Sequence, residues 1–322
     1  SARQESLDAL RELAAHKAPD QYLIAAGCLS QRYGRDLPRQ VPGLDGVIGT
    51  RRWMDIVDLV RRLRARKHPE PVYHLPDEAV TVGTDERGVS RVAVQGASAY
   101  LKIADGCRRP CAFCAIPAIK GTAVSRPADR ILDEARRLRD RGVQELILIA
   151  QDTTDYGHDL GQKDGLAALL DQLVVAVPDV PWIRVMYAYP GYVTDRLIET
   201  MAAHRQIVPY LDIPLQHADR ATLLRMRRPA NIDWVHTTIG KMRKAMPDLA
   251  IRTTFIVGYP GETDEEFETL VQFVEQMQFD RVGCFTYSFE PGTPSADLPD
   301  QVDEAIKADR RDLLMSVQQP IS

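Results

Sequence analysis

The chain has 322 residues, 44% hydrophobic and 27% charged, which places it among packed globular proteins and excludes disordered, fibrous and disulfide-knotted classes. That length allows two domains, or one barrel-sized unit with an appendage. Forty-one basic residues against 45 acidic give −4, so the whole molecule lacks the positive field that drives non-specific nucleic-acid binding. No apolar run approaches the roughly 20 residues that span a bilayer and no secretory segment opens the chain, so a cytoplasmic protein without a membrane partner is expected.

Residues 1–66 read as a small α/β piece: a helix over 4–16, an apolar strand over 22–26, a short strand near 47–48 and a helix over 53–66. Leu23-Ile24-Ala25-Ala26 is continuously apolar, as a strand buried on both faces requires, yet two strands and two helices are too few to cover it. Further strands upstream of Ser1 are expected, in a chain trimmed inside a domain. Residues 67–97 are rich in proline and charge, with short alternating segments around 80–82 and 92–94, and read as a linker with a hairpin.

From 98 to 322 strands and helices alternate. The strands are placed at 99–103, 145–150, 182–187, 210–213, 251–257 and 281–286. Pro127 takes an early helical position, Ile131, Leu132, Ala135 and Leu138 form one helix face, and Gly142 ends it. Thr263 and Glu266 make a capping box ahead of Phe267, Leu270, Val271, Val274 and Met277. Six β/α units imply a parallel sheet curled into an incomplete barrel, with ligands at the carboxyl ends of its strands.

Five cysteines, an odd number without an export signal, argue against a disulfide framework. Three fall within eight residues, in Cys107-Arg-Arg-Pro-Cys111-Ala-Phe-Cys114, directly after the first barrel strand, where Gly106 frees the backbone to turn. A structural zinc wants four ligands and no fourth is nearby. A four-iron cluster held by three thiolates keeps one iron open for a substrate, unlike the four-cysteine electron carriers. A non-enzymatic carrier or a zinc-stabilised binding module would call for a full set of four.

CxxxCxxC with an aromatic before the last cysteine, at the end of the first strand of a β/α barrel, resembles the radical S-adenosylmethionine enzymes. The resemblance implies that Cys107, Cys111 and Cys114 hold a [4Fe–4S] cluster whose open iron chelates S-adenosylmethionine, and that Phe113 lies against the adenine. Thr254-Phe255-Ile256-Val257-Gly258-Tyr259-Pro260-Gly261-Glu262 resembles the fifth-strand segment of that family, in which glycine, here Gly258, lets the backbone approach the adenosine. A structural turn is the competing reading.

Nearly the whole chain is similar to the methylthiotransferases, which place an α/β domain with a second [4Fe–4S] cluster before the barrel. Ile24-Ala25-Ala26-Gly27-Cys28-Leu29-Ser30-Gln31 resembles the segment that carries the third cysteine of that cluster, whereas Cys28 taken alone reads as a core residue. By the same resemblance the first two cysteines of the set lie upstream of Ser1 and a TRAM domain, the source of any RNA contact, lies beyond Ser322. The expected division is therefore 1–66 for the rest of the methylthiotransferase domain, 67–97 for the linker and 98–322 for the radical SAM partial barrel.

Ala150-Gln151-Asp152-Thr153-Thr154-Asp155-Tyr156-Gly157, Tyr187-Ala188-Tyr189-Pro190 and Asp212-Ile213-Pro214-Leu215-Gln216-His217 resemble the RimO branch, which acts on an aspartate of small-subunit ribosomal protein twelve, more than the MiaB-like branch that modifies transfer RNA. Phe289-Glu290-Pro291-Gly292-Thr293-Pro294 is mixed, and Lys120 stands where the family more often has arginine. The resemblance implies one S-adenosylmethionine that methylates sulfur at the second cluster and another whose radical takes hydrogen from the aspartate β-carbon. Flavodoxin or ferredoxin is the implied electron donor. Gln151 and Gln216, with Asp152, are expected to contact S-adenosylmethionine or substrate, against a reading in which they only cap the next helix. His217 reads as a hydrogen-bonded structural group, Arg225, Arg227 and Arg228 as a solvated helix face or a grip on an anion, and Cys284 as core. No catalytic acid or base is assigned.

Overall fold

The computed structural model describes residues 2–66, 70–75 and 94–322. The alternating segments at 80–82 and 92–93 lie outside the described residues. Contacts divide the chain into two compact units, one made of the described residues up to Leu75 together with Ile116–Thr122, the other of the remainder.

The first unit runs α1 (Ala2–His16), β1 (Ile24–Gly27), α2 (Cys28–Tyr33), α3 (Leu37–Gln40), β2 (Gly46–Gly49), α4 (Ile56–Ala65) and β3 (Val72–His74), with the strands parallel in the order β1-β2-β3. One side buries Leu7, Ala25, Leu37 and Val47, the other Ile48, Leu59 and Leu63 with Ile24 partly buried against them, while Ala26 is exposed, so β1 is not buried on both faces as its apolar run led one to expect. The third strand comes from the segment expected as linker; three residues ending in a histidine carry too little pattern to be seen. The helix expected over 53–66 begins later. Residues Thr50–Asp55 form a 3-10 turn with Arg52 off helical angles, because buried Asp55 draws Arg52 (2.8 Å) and His74 (2.7 Å) toward itself.

In the second unit β4 (Val94–Gln95) turns back antiparallel onto β5 (Ser98–Lys102), and β6 (Ala104–Asp105) pairs with β7 (Val124–Ser125) beyond α5 (Ile116–Lys120), a helix of the first unit. Then follow α6 (Ala128–Asp140), β8 (Glu145–Ile149), α7 (Gly165–Ala176), β9 (Trp182–Val185), α8 (Asp195–Ala203), β10 (Tyr210–Asp212), α9 (Arg220–Arg225), α10 (Ile232–Ala245), β11 (Ala250–Val257), α11 (Asp264–Met277), β12 (Arg281–Thr286) and α12 (Glu304–Gln318). Pro127 is the cap residue before α6 and not a helical one. The Thr263–Glu266 capping box is formed.

Strands β5, β8 and β9 are parallel neighbours, as are β10, β11 and β12. Backbone bonds join the two sets: Ile183 N donates to Gln206 O (2.7 Å), Val208 N to Ile183 O (2.9 Å) and Ala188 N to Asp212 O (2.8 Å). The six barrel strands thus form one arc, and among the described residues β5 and β12 do not pair with each other. On the helix side Leu101, Leu148, Ile183, Leu211, Ile251 and Phe255 are fully buried in one core. The opposite face mixes polar and charged side chains with Tyr100, Ile147, Ile149 and Ile256. Glu145 accepts from Ser98 Oγ and Arg184 Nε (both 2.7 Å), and Arg252 pairs with Asp212 (2.8 Å). Period-two alternation in the barrel strands therefore separates a buried hydrocarbon layer from a partly exposed inner wall.

Candidate active site

The cysteine loop leaves β6 at Gly106, whose φ of +77° is a turn that a side chain would strain, and a backbone bond from Ala112 N to Met226 O (2.9 Å) ties it down near α9. None of the three cysteines is in a disulfide and all are half-buried, with Cys114 N bonded to Cys111 O (3.1 Å). Burial, together with Asp152 and the two neighbouring sulfurs, pushes the Cys107 thiol up to about 11, opposed by the Arg109 N–H at 3.4 Å. A ligand must be a thiolate, so positive charge has to be brought to this loop.

Two arginines within the motif anchor it, and sequence reasoning had passed over both. Arg109 is only 6% exposed and donates from Nε to Asp152 (2.7 Å) and from Nη2 to Asp155 (3.3 Å). Arg108 grips Asp155 with Nε and Nη2 at 2.6–2.8 Å. Asp152 makes no helix cap; it is a buried counter-ion, with a further bond from Thr154 Oγ1 (2.5 Å). The Arg109 guanidinium also stacks on Tyr192 (3.6 Å) and Tyr189 (4.6 Å). The ends of β8 and β9 thus fix the loop after β6. Alternating signs over 43–47 residues of separation leave no local pattern.

Arg228 corrects the solvated-face reading. It is 8% exposed, donates to Pro214 O, lies 4.3 Å above the Tyr189 ring and places Nη1 3.6 Å from Cys111 Sγ. Arg225 is spent on Glu266 and Thr222, and Arg227 is exposed at a strained φ of +53°.

Phe113 packs against a cluster of Met226, Tyr259 and Tyr287, and Ile256 of β11 packs against the same cluster. Gln216 bridges to that strand through Gln216 N to Thr254 O and Ile256 N to Gln216 O (both 2.8 Å), at a φ of +75° that costs a non-glycine residue strain. Gln151 Oε1 and Gln216 Oε1 are buried without a partner, as acceptors waiting for a ligand would be. Gly258 has φ +68°, and the place of its absent side chain is filled by Lys307, whose Cγ lies 2.2 Å from an ideal Cβ. Close helix packing alone therefore demands glycine here.

His217 is structural in setting: its Nδ1 accepts from Asp219 N (2.9 Å), Nε2 is unpartnered 3.7 Å from Glu262, and burial lowers its pKa to about 4. Cys284 lies half-buried on β12 against the core, and burial lifts its thiol to about 12. In the first unit Cys28 is exposed at the start of α2, contrary to the core reading. The carboxyl edge of that sheet also carries the buried, unpartnered Thr50 hydroxyl and a cavity of about 600 Å³ lined by Arg35, Tyr73, His74 and Leu75.

A radical SAM superfamily signature matches residues 101–274. The chain is 48% identical, over its full length and 71% of the relative's, to the ribosomal protein uS12 methylthiotransferase RimO of Roseiflexus sp. (strain RS-1). It is 50% identical to the RimO of Chloroflexus aurantiacus, again over the full chain and 73% of the relative. The chain belongs to the RimO family of radical SAM methylthiotransferases. Among solved structures, the radical S-adenosylmethionine methyltransferase TsrM from Kitasatospora setae superposes with a TM-score of 0.69 at 16% identity, covering 91% of this chain and 60% of TsrM. Coproporphyrinogen III oxidase (HemN) from Escherichia coli gives 0.53 at 16% identity over 69% of this chain and 52% of HemN. At such identities these two show the fold alone.

The cofactors of the superfamily, a [4Fe–4S] cluster and S-adenosylmethionine, suit the residues present. Three cysteines outside any disulfide share one loop, the Arg228 guanidinium stands at Cys111 and two buried amide oxygens lack partners. Among the described residues no three His, Cys, Asp or Glu side chains converge on a single ion. Thiolates of a four-iron cluster take different irons, so wider spacing is what that cluster needs. No helix of the described residues is long and apolar enough to cross a membrane.

Proposed function

We propose that the chain forms the catalytic body of an enzyme that adds a methylthio group to the β-carbon of an aspartate in ribosomal protein uS12. Identity near 50% across the whole chain with RimO relatives carries this reading over the transfer-RNA alternative. Cys107, Cys111 and Cys114 hold the radical SAM cluster, and Phe113, Gln151, Gln216 and the Gly258 turn border S-adenosylmethionine. When bound, the cluster and S-adenosylmethionine supply the one-electron cleavage that yields a radical able to take hydrogen from carbon. The protein contributes position: Arg108 and Arg109 hold the loop in register, and the Gln151 and Gln216 amides orient polar groups within a wall that admits the substrate side chain.

Residues 1–66 together with β3 and α5 form the methylthiotransferase α/β domain, with Cys28 as a ligand of the second cluster, and the partial barrel lies within the rest of 98–322. A flavodoxin or ferredoxin supplies the electron in the cytoplasm, and RNA contact falls to a TRAM domain. The test is anaerobic: reconstitute the cluster, add S-adenosylmethionine, dithionite and a peptide spanning the uS12 aspartate, and measure deoxyadenosine. The expected result is release stimulated by the peptide and abolished when its aspartate is replaced by alanine. Release that ignores the peptide would refute the substrate.

A further inference from the structure

Two donor groups stand at the Cys111 sulfur. Tyr189 Oη and Arg228 Nη1 each lie 3.6 Å from Sγ. Neither contact is a surface accident. Arg228 is 92% buried by its 8% exposure, its Nη2 is fixed on Pro214 O and its Nε is buried without a partner. The guanidinium stacks on the ring of the same Tyr189, 4.3 Å away, so the two donors hold each other in place. The strained φ of +53° at Arg227 turns the next residue inward, and the Ala112 N to Met226 O bond fixes that turn to the cysteine loop. Once Cys111 is a thiolate it can only accept, so both neighbours become donors.

We propose that Arg228 and Tyr189 are positioning residues that act through the Cys111 sulfur to raise the reduction potential of the radical SAM cluster. The inference rests on the cluster assignment above. Adding one electron makes the cluster one charge more negative, and hydrogen bonds and a buried cation at a ligand sulfur stabilise that state more than the oxidised one. Arg109 also stacks on Tyr189 but is already neutralised by Asp152, so its field at the sulfur is offset.

The experiment uses the reconstituted chain without S-adenosylmethionine: iron content, the electron paramagnetic resonance signal of the reduced cluster, and its midpoint potential by anaerobic titration with dithionite as electron source. Arg228→Met is expected to keep its iron and to lose at least tenfold in the reduction equilibrium constant, about 59 mV downward for a one-electron couple. Tyr189→Phe, which removes one hydroxyl and keeps the stacked ring, is expected to lose about threefold, about 28 mV by the same conversion. Arg228→Lys, which keeps the charge, should recover at least half of the Arg228→Met shift. An unchanged potential in Tyr189→Phe with its iron retained overturns the proposal, whatever Arg228→Met does. If the unsubstituted chain takes up no four-iron cluster, the cluster assignment itself has failed.

Discussion

Replacing Arg109 by methionine removes the charge and keeps most of the volume in a site where almost no water can substitute. Asp152 loses its 2.7 Å partner and retains only the Thr154 hydroxyl, while Asp155 still has Arg108. One buried carboxylate is thus left uncompensated, which costs about 3–5 kcal/mol, and loss of stacking on Tyr192 and Tyr189 adds to the same side. Arg108, 36% exposed, should cost only about 1 kcal/mol when replaced in the same way. Urea unfolding in a Trp53→Phe background lets Trp182 and Trp234, both in the barrel unit, report on that unit. The double change Arg109→Met with Asp152→Asn should recover about 1–3 kcal/mol by removing the stranded charge. A loss of less than about 1 kcal/mol in Arg109→Met would refute the claim that this ion pair holds the cysteine loop.

Other outcomes follow from the same geometry. Alanine at Cys107, Cys111 or Cys114 should abolish cluster uptake and deoxyadenosine formation, read as iron content and product, and retained cleavage in any of the three would contradict the ligand set. Gly258→Ala should destabilise the barrel by about 1–3 kcal/mol in urea unfolding, since the left-handed turn and the contact with Lys307 both oppose a methyl group. His217 is held neutral among Asp219, Glu262, Glu266, Arg225 and Arg310, with its folded pKa lowered to about 4 from 6.5. The unfolded chain binds the proton first as pH falls, so His217 leaves stability unaffected above 6.5 and lowers it by up to about 3 kcal/mol between 6.5 and 4. His217→Asn should flatten that limb of the stability–pH curve, and an unchanged slope would contradict the assignment.

The six barrel strands were legible because each is a short apolar run bounded by turn residues, and the observed strands begin and end within two residues of the expected positions. The cysteine loop and the Thr263 cap were legible because their spacing is local. What stayed hidden depends on pairing across the chain. Arg108 and Arg109 find their carboxylates only when β6 and β8 come together, and Arg228 reads as one of three surface cations until the turn at Arg227 buries it. Strand β3 was hidden among prolines. The exposure of Cys28 follows from its place at the edge of a sheet, where packing propensity gives the wrong answer. The strain at Gln216 and its unpartnered amide oxygen have no sequence signature at all.

The most direct measurement places this chain in an enzyme of its relatives' full length and offers it the uS12 protein and transfer RNA together, under reducing conditions with S-adenosylmethionine and a sulfide source. Mass analysis then reads both products. A methylthio gain on the uS12 aspartate, with the nucleosides unchanged, is the result expected. A gain on a nucleoside with uS12 unmodified would contradict the assignment of substrate while leaving the cluster chemistry in place.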